Sequence, residues 1–376
     1  MWIYEQKNWP SFKWDLESLR PKLMDVRYKQ GKLLGRMDAI GLSLQQEATL
    51  QTLTNDVIKS SAIEGEILHP EEVRSSIARQ LGMDIGGLPP TNRDVEGIVS
   101  MMMDATQHYQ KPLTAERLFG WHAALFPNGR SSIRRITVGA WRPSSAGAMQ
   151  VVSGPVGKET IHFEAPTAAV LDHEMDLFLK AFEGSSSIDP LLKAGLMHFW
   201  FVTIHPFEDG NGRIARAIGD MALAQAEGTL RRFYSLSSQI EMERQEYYRQ
   251  LEHHQRGNLD VTGWLMWFLA CLERAIDHAD LMVEKAIDRT KRWYHVNQYR
   301  LNDRQRHIIH MMLGDFKGHM NTSKYAQLAK CSTDTALRDI QNLVNHSILV
   351  QNPQGGRSTS YQLITLEEIE NPLKIF

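Results

Sequence analysis

Cysteine is nearly absent: Cys271 and Cys331 are the only two in 376 residues, far apart and without CxxC spacing. Neither a disulfide framework nor a thiolate zinc site is supported, and a reducing, cytoplasmic compartment is the expectation. Glycine (26) and proline (14) together fall below ordinary usage, which sets aside collagen-like and low-complexity chains. No sign of charge dominates. With 42 Lys and Arg against 44 Asp and Glu the formal net charge is −2, so coating nucleic acid or an anionic membrane is not the chain's main business, and a local basic face stays open. Long apolar runs are missing as well. The most apolar stretch, VTGWLMWFLACL at 261–272, is broken by Gly263 and falls well short of the ~20 residues a membrane helix needs; it reads as a buried core helix. The opening MWIYEQKNWPSFKWD has early acidic residues and lacks the apolar core of a secretory signal, so no targeting segment and no membrane partner are expected.

What the chain has is hydrophobic residues at helical spacing. Leu50, Leu53, Val57 and Ile58, then Leu118, Trp121 and Leu125, recur on one face, and Thr114 with Glu116 in the first turn after it reads as an N-cap. Between 133 and 166 the texture changes to Gly, Ser and Pro between β-branched runs (Val151-Val152, Ile161-His162-Phe163), which reads as a loop with one small hairpin. Helices resume over 168–204 and again from Gly212 to about Arg289. The last 75 or so residues give three helical segments (303–314, 322–330, 333–346), then ILVQNPQGGRSTSYQLI, alternating like two strands around a Gly-Gly turn. That is the winged-helix order, with KAIDRTKRWYHVNQYRLN as connector. At about 150 residues per domain the reading is a mainly α chain of three parts: an N-terminal helical domain (1–84), a helical bundle with a small β-hairpin (85–289), and a winged helix (300–376).

The stretch richest in chemistry is His205-Pro206-Phe207-Glu208-Asp209-Gly210-Asn211-Gly212-Arg213-Ile214-Ala215-Arg216. It reads as a helix end, a glycine-rich turn, and a new helix opening at Gly212. Such a turn lets backbone N–H groups converge on an anion, and the helix N-terminus adds partial positive charge. Arg213 and Arg216, three apart, share a face and suit a two-armed clamp for polyphosphate. Asp209 beside the phosphates suits Mg²⁺, which takes one or two protein oxygens and fills the rest with phosphate and water. His205 lies where an imidazole takes a proton from an attacking hydroxyl, and Asn211 has an amide to offer a phosphate oxygen.

HPFEDGNGRIAR resembles the signature HPFx[D/E]GNGRxxR of the Fic (Fido) family of protein adenylyltransferases, with no departure at a fixed position. The resemblance implies a Fic helical bundle at 85–289. In it His205 is the general base, Asp209 the Mg²⁺ ligand, Gly210 to Gly212 the anion hole, and Arg213 and Arg216 the polyphosphate clamp. AMP would pass from ATP to a Ser, Thr or Tyr hydroxyl of a target protein or of the chain itself, with pyrophosphate leaving. The β excursion resembles the family's flap, which holds a target by strand addition, here at Val151, Val152, Ser153 and Gly154. RFYSLSSQIEMERQEYY resembles the segment that closes over the nucleotide, with Tyr247 and Tyr248 as candidates.

Residues 60–65, SSAIEG, match the family's inhibitory motif [S/T]xxxE[G/N], and Ser60 and Glu64 lie one helical turn apart. By that resemblance Glu64 pairs with Arg216 and fills the space of the ATP γ-phosphate. The chain then reads as an autoinhibited adenylyltransferase. Two alternatives stay open: Glu64 orients water to remove AMP from a modified protein, or the chain is a nucleotide-sensing DNA-binding regulator. For the second, residues 332–345 would be the recognition helix, with Arg338 facing a groove and Arg357 in the wing. Protein docking and a homodimer contact are the other uses left open for 300–376.

Overall fold

The computed structural model describes residues 1–83, 91–154, 158, 160–184, 187–314, 316, 318–353, 359–365, 367 and 369. The chain forms two compact units, Met1–Asp280 and Leu281–Phe376.

The first unit begins with α1 (Leu16–Asp38), α2 (Leu42–Ile63), α3 (Pro70–Gln80), α4 (Arg93–Gln107) and α5 (Ala115–Leu125). Two antiparallel hairpins follow, β1 (Arg130–Ser131) with β2 (Arg134–Arg135), and β3 (Gln150–Ser153) with β4 (Thr160–Glu164). Then come α6 (Leu171–Glu183), α7 (Pro190–Ile204), α8 (Asn211–Glu227), α9 (Leu236–Met242), α10 (Arg244–Gln255) and α11 (Thr262–Val296). The centre is α7. It is apolar all round and every residue from Ala194 to Ile204 is buried, as expected of a helix enclosed by other helices. A Cβ on Gly195 would fall 2.8 Å from the Phe268 ring of α11, so this glycine sets how closely the two helices approach.

Sequence explains the element ends. Asp15 caps α1 by accepting from the N–H groups of Glu17 and Ser18, and Thr114 caps α5 by accepting from Arg117 N–H, as its placement before the periodic run implies. The face of α1 bearing Leu19, Val26, Leu33 and Met37 is buried, each such side chain worth about 1.5–3 kcal/mol. Beside it Lys22, Lys29 and Arg36 pair with Glu273, Asp277 and Asp280 of α11. These partly exposed pairs each contribute about 0–1 kcal/mol, so they set alignment more than stability. The segment before α1 is zipped to the start of α11: Lys13 N–H donates to Leu259 O, and Val261 N–H to Lys13 O, both at 2.9 Å.

The second unit packs α12 (Asp303–Leu313), α13 (Thr322–Leu328) and α14 (Thr333–Asn345) on an antiparallel three-stranded sheet. Its order is β5–β7–β6, where β5 is Met320–Asn321, β6 Leu349–Gln351 and β7 Ser360–Leu363. Ile308, Ile309, Tyr325, Ile340 and Leu343 fill its core. A capping box opens α12, with Asn302 and Gln305 each accepting from the other's backbone N–H.

Three features differ from the sequence reading. The β1–β2 hairpin was expected to be loop; its strands are two residues each, too short to show alternation. β5 adds a third strand to the sheet for the same reason. The segment expected to connect the last two domains is largely helical, because α11 runs unbroken to Val296 with no Gly or Pro after Gly263. The Gly-Gly turn at 355–356 and Arg357 lie outside the described residues.

Glycines offer a test of packing. A Cβ on Gly97 of α4 would overlap the Ala124 carbonyl of α5, whereas one on exposed Gly35 of α1 meets nothing within 4 Å. Gly97→Ala is expected to lower stability by about 1–3 kcal/mol and Gly35→Ala to raise it by about 0.4–1 kcal/mol. Urea midpoints at unchanged m-value check both; equal midpoints would contradict the close α4–α5 approach.

Candidate active site

Helix α7 stops at His205, which is left-handed at φ +53°, ψ +57°. A β-carbon makes that region costly, and such residues gather at functional turns. His205 Nδ1 lies 3.1 Å from Val202 O. A carbonyl only accepts, so Nδ1 carries the proton and Nε2 of the neutral ring is left with its lone pair free. Burial lowers the His205 pKa to about 4, with the nearby Arg142 charge adding to it and the Val202 contact opposing it. At neutral pH the ring is therefore an acceptor.

The turn is shaped from within. Asn211 is buried, and its amide is turned to the loop: Oδ1 accepts from Phe207 N–H and Nδ2 donates to Phe207 O, both at 2.9 Å. Gly210 is left-handed (φ +79°), and a Cβ there would come within 2.9 Å of the Phe126 ring. It precedes α8 with no side chain capping that end, which leaves the first-turn N–H groups for an anion. Asp209 accepts from Gly210 N–H through Oδ1 at 2.6 Å and from Ser131 Oγ through Oδ2, so the unexpected β1–β2 hairpin orients this carboxylate. Among the described residues no cluster of three or more His, Cys, Asp or Glu forms a metal cage. A lone carboxylate beside an anion-shaped helix end is nonetheless the donor set that suits Mg²⁺.

Both arginines on α8 are buried. Arg216 donates from Nε to Ser60 Oγ at 2.9 Å, and from Nη2 to Ser60 O and Glu64 Oε1 at 2.8 Å each. Burial works against its charge, but Glu64, with Tyr247 and Tyr248 nearby, turns the balance, and its pKa lies above the ordinary value. Arg213 lies over the Phe126 ring at 5.2 Å and donates from Nη1 to Glu66 Oε2 at 2.6 Å. Buried Arg213 Nε and Arg216 Nη1 have no hydrogen-bond partner among the described residues. Each of the two arginines thus holds one carboxylate and has one buried donor without a partner.

The spacing of Ser60 and Glu64 is met with one refinement: α2 ends at Ile63, and Glu64 is its C-cap. One and two turns earlier, α2 makes matching contacts. Asp56 and Asp220 of α8 both accept from Arg232, at 3.1 and 2.5 Å, and Ser235 also donates to Asp56. Burial pushes Asp56 up to about 7 and raises Asp220 as well.

Tyr247 and Tyr248 part ways. Tyr247 is buried against Trp264 and Trp267, with its hydroxyl 2.9 Å from His198 Nε2; Tyr248 is 37% exposed and donates to Ile63 O at 3.2 Å. Val151, Val152 and Ser153 lie on β3, with a register shift between the valines, and Gly154 follows at φ +102°. In the second unit Ser332 caps α14 and Arg338 is exposed on it.

Two residues at the site had no sequence signal. Arg142 is buried and fastens the turn: its Nε donates to His205 O, its N–H to Pro206 O and its Nη2 to Pro166 O at the foot of β4. His122 stacks on Phe207 at 4.2 Å and accepts from Gly139 N–H through Nδ1. Burial lowers its pKa to about 4, so it too is a neutral spacer.

His205 supplies a pH test. Its folded-state pKa is depressed, so between pH 6.5 and 4 the unfolded chain binds a proton that the folded chain does not. Its contribution to stability is complete above pH 6.5 and is lost as pH falls toward 4. The ring resonances of His205 in NMR should titrate near pH 4; a midpoint near 6.5 would show an open, solvated imidazole instead.

Known proteins were compared with the chain by sequence and by fold. The Fic/DOC family model matches residues 112–223, and a domain of unknown function, DUF4172, matches 2–83. The protein adenylyltransferase Fic of Drosophila virilis is 31% identical over 109 residues, 29% of this chain and 21% of the relative. That of Nematostella vectensis is 34% identical over 92 residues, 24% of this chain and 19% of the relative. The chain thus spans about a fifth of the length of these curated relatives. In fold, a Fic family protein from Desulfovibrio desulfuricans matches with a TM-score of 0.50 at 20% identity, over 91% of this chain and 96% of that one. A Fic domain containing signaling protein from Bacteroides thetaiotaomicron gives 0.50 at 17% identity, over 69% and 97%. No helix among the described residues is long and apolar enough to cross a membrane. The turn bearing His205, Asp209 and both arginines lies inside the span, residues 112–223, that matches the Fic/DOC family model.

Proposed function

We propose that this chain is a protein adenylyltransferase held off by its own Glu64. It transfers AMP from ATP to a Ser, Thr or Tyr hydroxyl of a target protein or of itself. The observation that carries the reading is the pair of buried arginines, each with an unfilled donor, at an uncapped helix start just after a histidine whose Nε2 is free. A polyphosphate answers both unfilled donors and the N–H groups of the turn.

The chemistry follows from these groups. His205 Nε2 takes the proton of the attacking hydroxyl, whose oxygen forms a bond to the α-phosphorus. The bond from that phosphorus to the bridging oxygen breaks, and pyrophosphate leaves with the electron pair. Arg213, Arg216 and the N–H groups opening α8 hold the phosphates and offset their charge, positioning and charge stabilisation being the main contributions in such transfers. Mg²⁺, for which Asp209 is the ligand in this reading, neutralises phosphate charge when bound. Glu64 on Arg216 stands where phosphate oxygens would, so the closed form must open before ATP binds productively.

Among the described residues β3 pairs with β4 alone, and its other edge suits a target segment added as a strand. Glu64 is held through Oε1 with its side chain 30% exposed, which leaves a carboxylate oxygen to orient water, and AMP removal is the second reading. For the second unit, three helices on a three-stranded antiparallel sheet support a winged helix at 300–376; DNA contact there stands as a proposal, as do the domain limits 1–84 and 85–289.

Incubation with α-labelled ATP and Mg²⁺ tests this. Glu64→Gly is expected to label itself or lysate proteins at least about 10-fold more than wild type, the shift expected of a biased two-state site. Adding His205→Ala should cut that label by about 10²–10⁴-fold. Equal label in wild type and Glu64→Gly would remove the inhibitory role, and label that survives His205→Ala would remove the base.

A further inference from the structure

The inhibitory segment brings a second carboxylate to the site, and the fold holds it there as firmly as the first. Helix α2 closes with a turn in which Gly65 N–H donates to Ala62 O and Glu66 N–H to Ser61 O, both at 3.0 Å, with Gly65 left-handed at φ +85°. This paired 5→2 and 6→1 pattern is a Schellman closure. It fixes the backbone of Glu66 as well as that of Glu64 and turns both side chains toward α8. Glu64 then reaches Arg216 and Glu66 reaches Arg213, at 2.8 and 2.6 Å. Two carboxylates two residues apart on the turn therefore match two guanidiniums three apart on the helix.

A half-exposed ion pair is ordinarily worth little, and the Glu66 side chain is 47% exposed. Its partner makes the difference. The Arg213 side chain is 4% exposed, and its Nε has no partner among the described residues, so without Glu66 a buried guanidinium would lack a counter-anion unless phosphate supplied one. Glu66 takes the place of an anion on that arm.

Resting on the reading of this turn as a nucleotide site, we infer that Glu66 is a second, independent stopper, excluding phosphate from Arg213 as Glu64 excludes it from Arg216. In the closed form each of the two guanidiniums is matched by one carboxylate, and a triphosphate must displace both carboxylates to use both arms. Removing Glu64 alone leaves the Arg213 arm capped, so Glu64→Gly opens the site only in part.

The test measures binding of the α,β-methylene analogue of ATP with Mg²⁺ by calorimetry, on the full chain. Four proteins are compared: wild type, Glu64→Gly, Glu66→Ala and Glu64→Gly/Glu66→Ala, with urea midpoints taken to confirm that each is folded. Glu66→Ala is expected to tighten binding by about five-fold in both backgrounds, the size of a strong exposed ion pair. The double variant should also exceed Glu64→Gly in label from α-labelled ATP, while Glu66→Asp, which keeps the charge, stays near wild type. Unchanged or weaker binding on removing Glu66 from Glu64→Gly overturns the inference, the weaker case meaning that Glu66 poises Arg213 for phosphate. Loss of binding in every variant, Glu64→Gly included, would instead remove the nucleotide reading beneath it, and this inference with it.

Discussion

The guanidinium of Arg216, 2% exposed, is the constraint around which the first unit is arranged. A buried charge without partners is among the costliest features a fold can hold, and removing one partner of a buried pair typically costs about 3–5 kcal/mol. α8 cannot meet that need from its own residues, so α2 docks where Ser60 and Glu64 supply three acceptors. The same logic repeats along the helix pair. Asp56, Ser60 and Glu64 step along α2 at four-residue intervals, while Asp220, Arg216 and Gly212 step backward along α8. The two helices thus run antiparallel with a ladder of polar contacts between them, and Arg232 bridges the far end.

The ends of that ladder differ in kind. At Arg232 the contacts are fully enclosed: Asp56 and Asp220 are 0% and 1% exposed. Two carboxylates against one guanidinium, with Asp56 raised to about 7 by burial, favour retention of a proton between them near neutrality. Arg232 Nε also has no partner among the described residues, but both carboxylates beside it are buried. At Arg213 and Arg216 the partners are carboxylates from a helix terminus, partly open to solvent, facing an uncapped helix start. One end is enclosed and the other has acceptors open to solvent, a difference that suits the exchange of acceptors proposed for Glu64. Gly212 fits this division: a Cβ there would overlap the Glu64 carboxylate, so the close approach of Glu64 depends on that glycine as much as on Arg216.

How much of this was legible in sequence depended on how far apart the partners lie along the chain. The turn from His205 to Arg216 could be read because its base, carboxylate, glycines and arginines are contiguous. Ser60 and Glu64 were legible through the family motif that residues 60–65 resemble, with a spacing of one helical turn. Arg142 was not, since its partner His205 lies 63 residues away and an isolated arginine in a Gly-Trp stretch has no periodic signal. Arg232 joins residues 176 and 12 positions away and was equally silent. Glu66, two residues from Glu64, has no sequence signal, because helical spacing does not point it at the same partner face; only the left-handed Gly65 does so. Asn211, a candidate through its amide, bonds Phe207 with both amide atoms, and Tyr247, a candidate through the resemblance of its segment, is buried beside His198; neither contact could be read from the sequence.

The reactive geometry rests on the same economy of buried donors. Arg142 donates from its backbone N–H to Pro206 O and from its side chain to His205 O and to Pro166 O at the foot of the β3–β4 hairpin, so one residue fixes the left-handed turn and ties it to the strand that precedes α6. Because His205 N–H still bonds Phe201 O, the turn is held from both sides, and the strained φ is over-determined rather than merely tolerated. The Nδ1 contact with Val202 then selects one tautomer of the neutral ring, the one whose Nε2 carries no proton. The arginines are held open to exchange and the histidine is not. Under the proposed function the exchangeable contacts are those of Arg216 with Glu64 and Arg213 with Glu66, while the His205 turn is fixed, so control would fall at polyphosphate binding rather than at proton transfer.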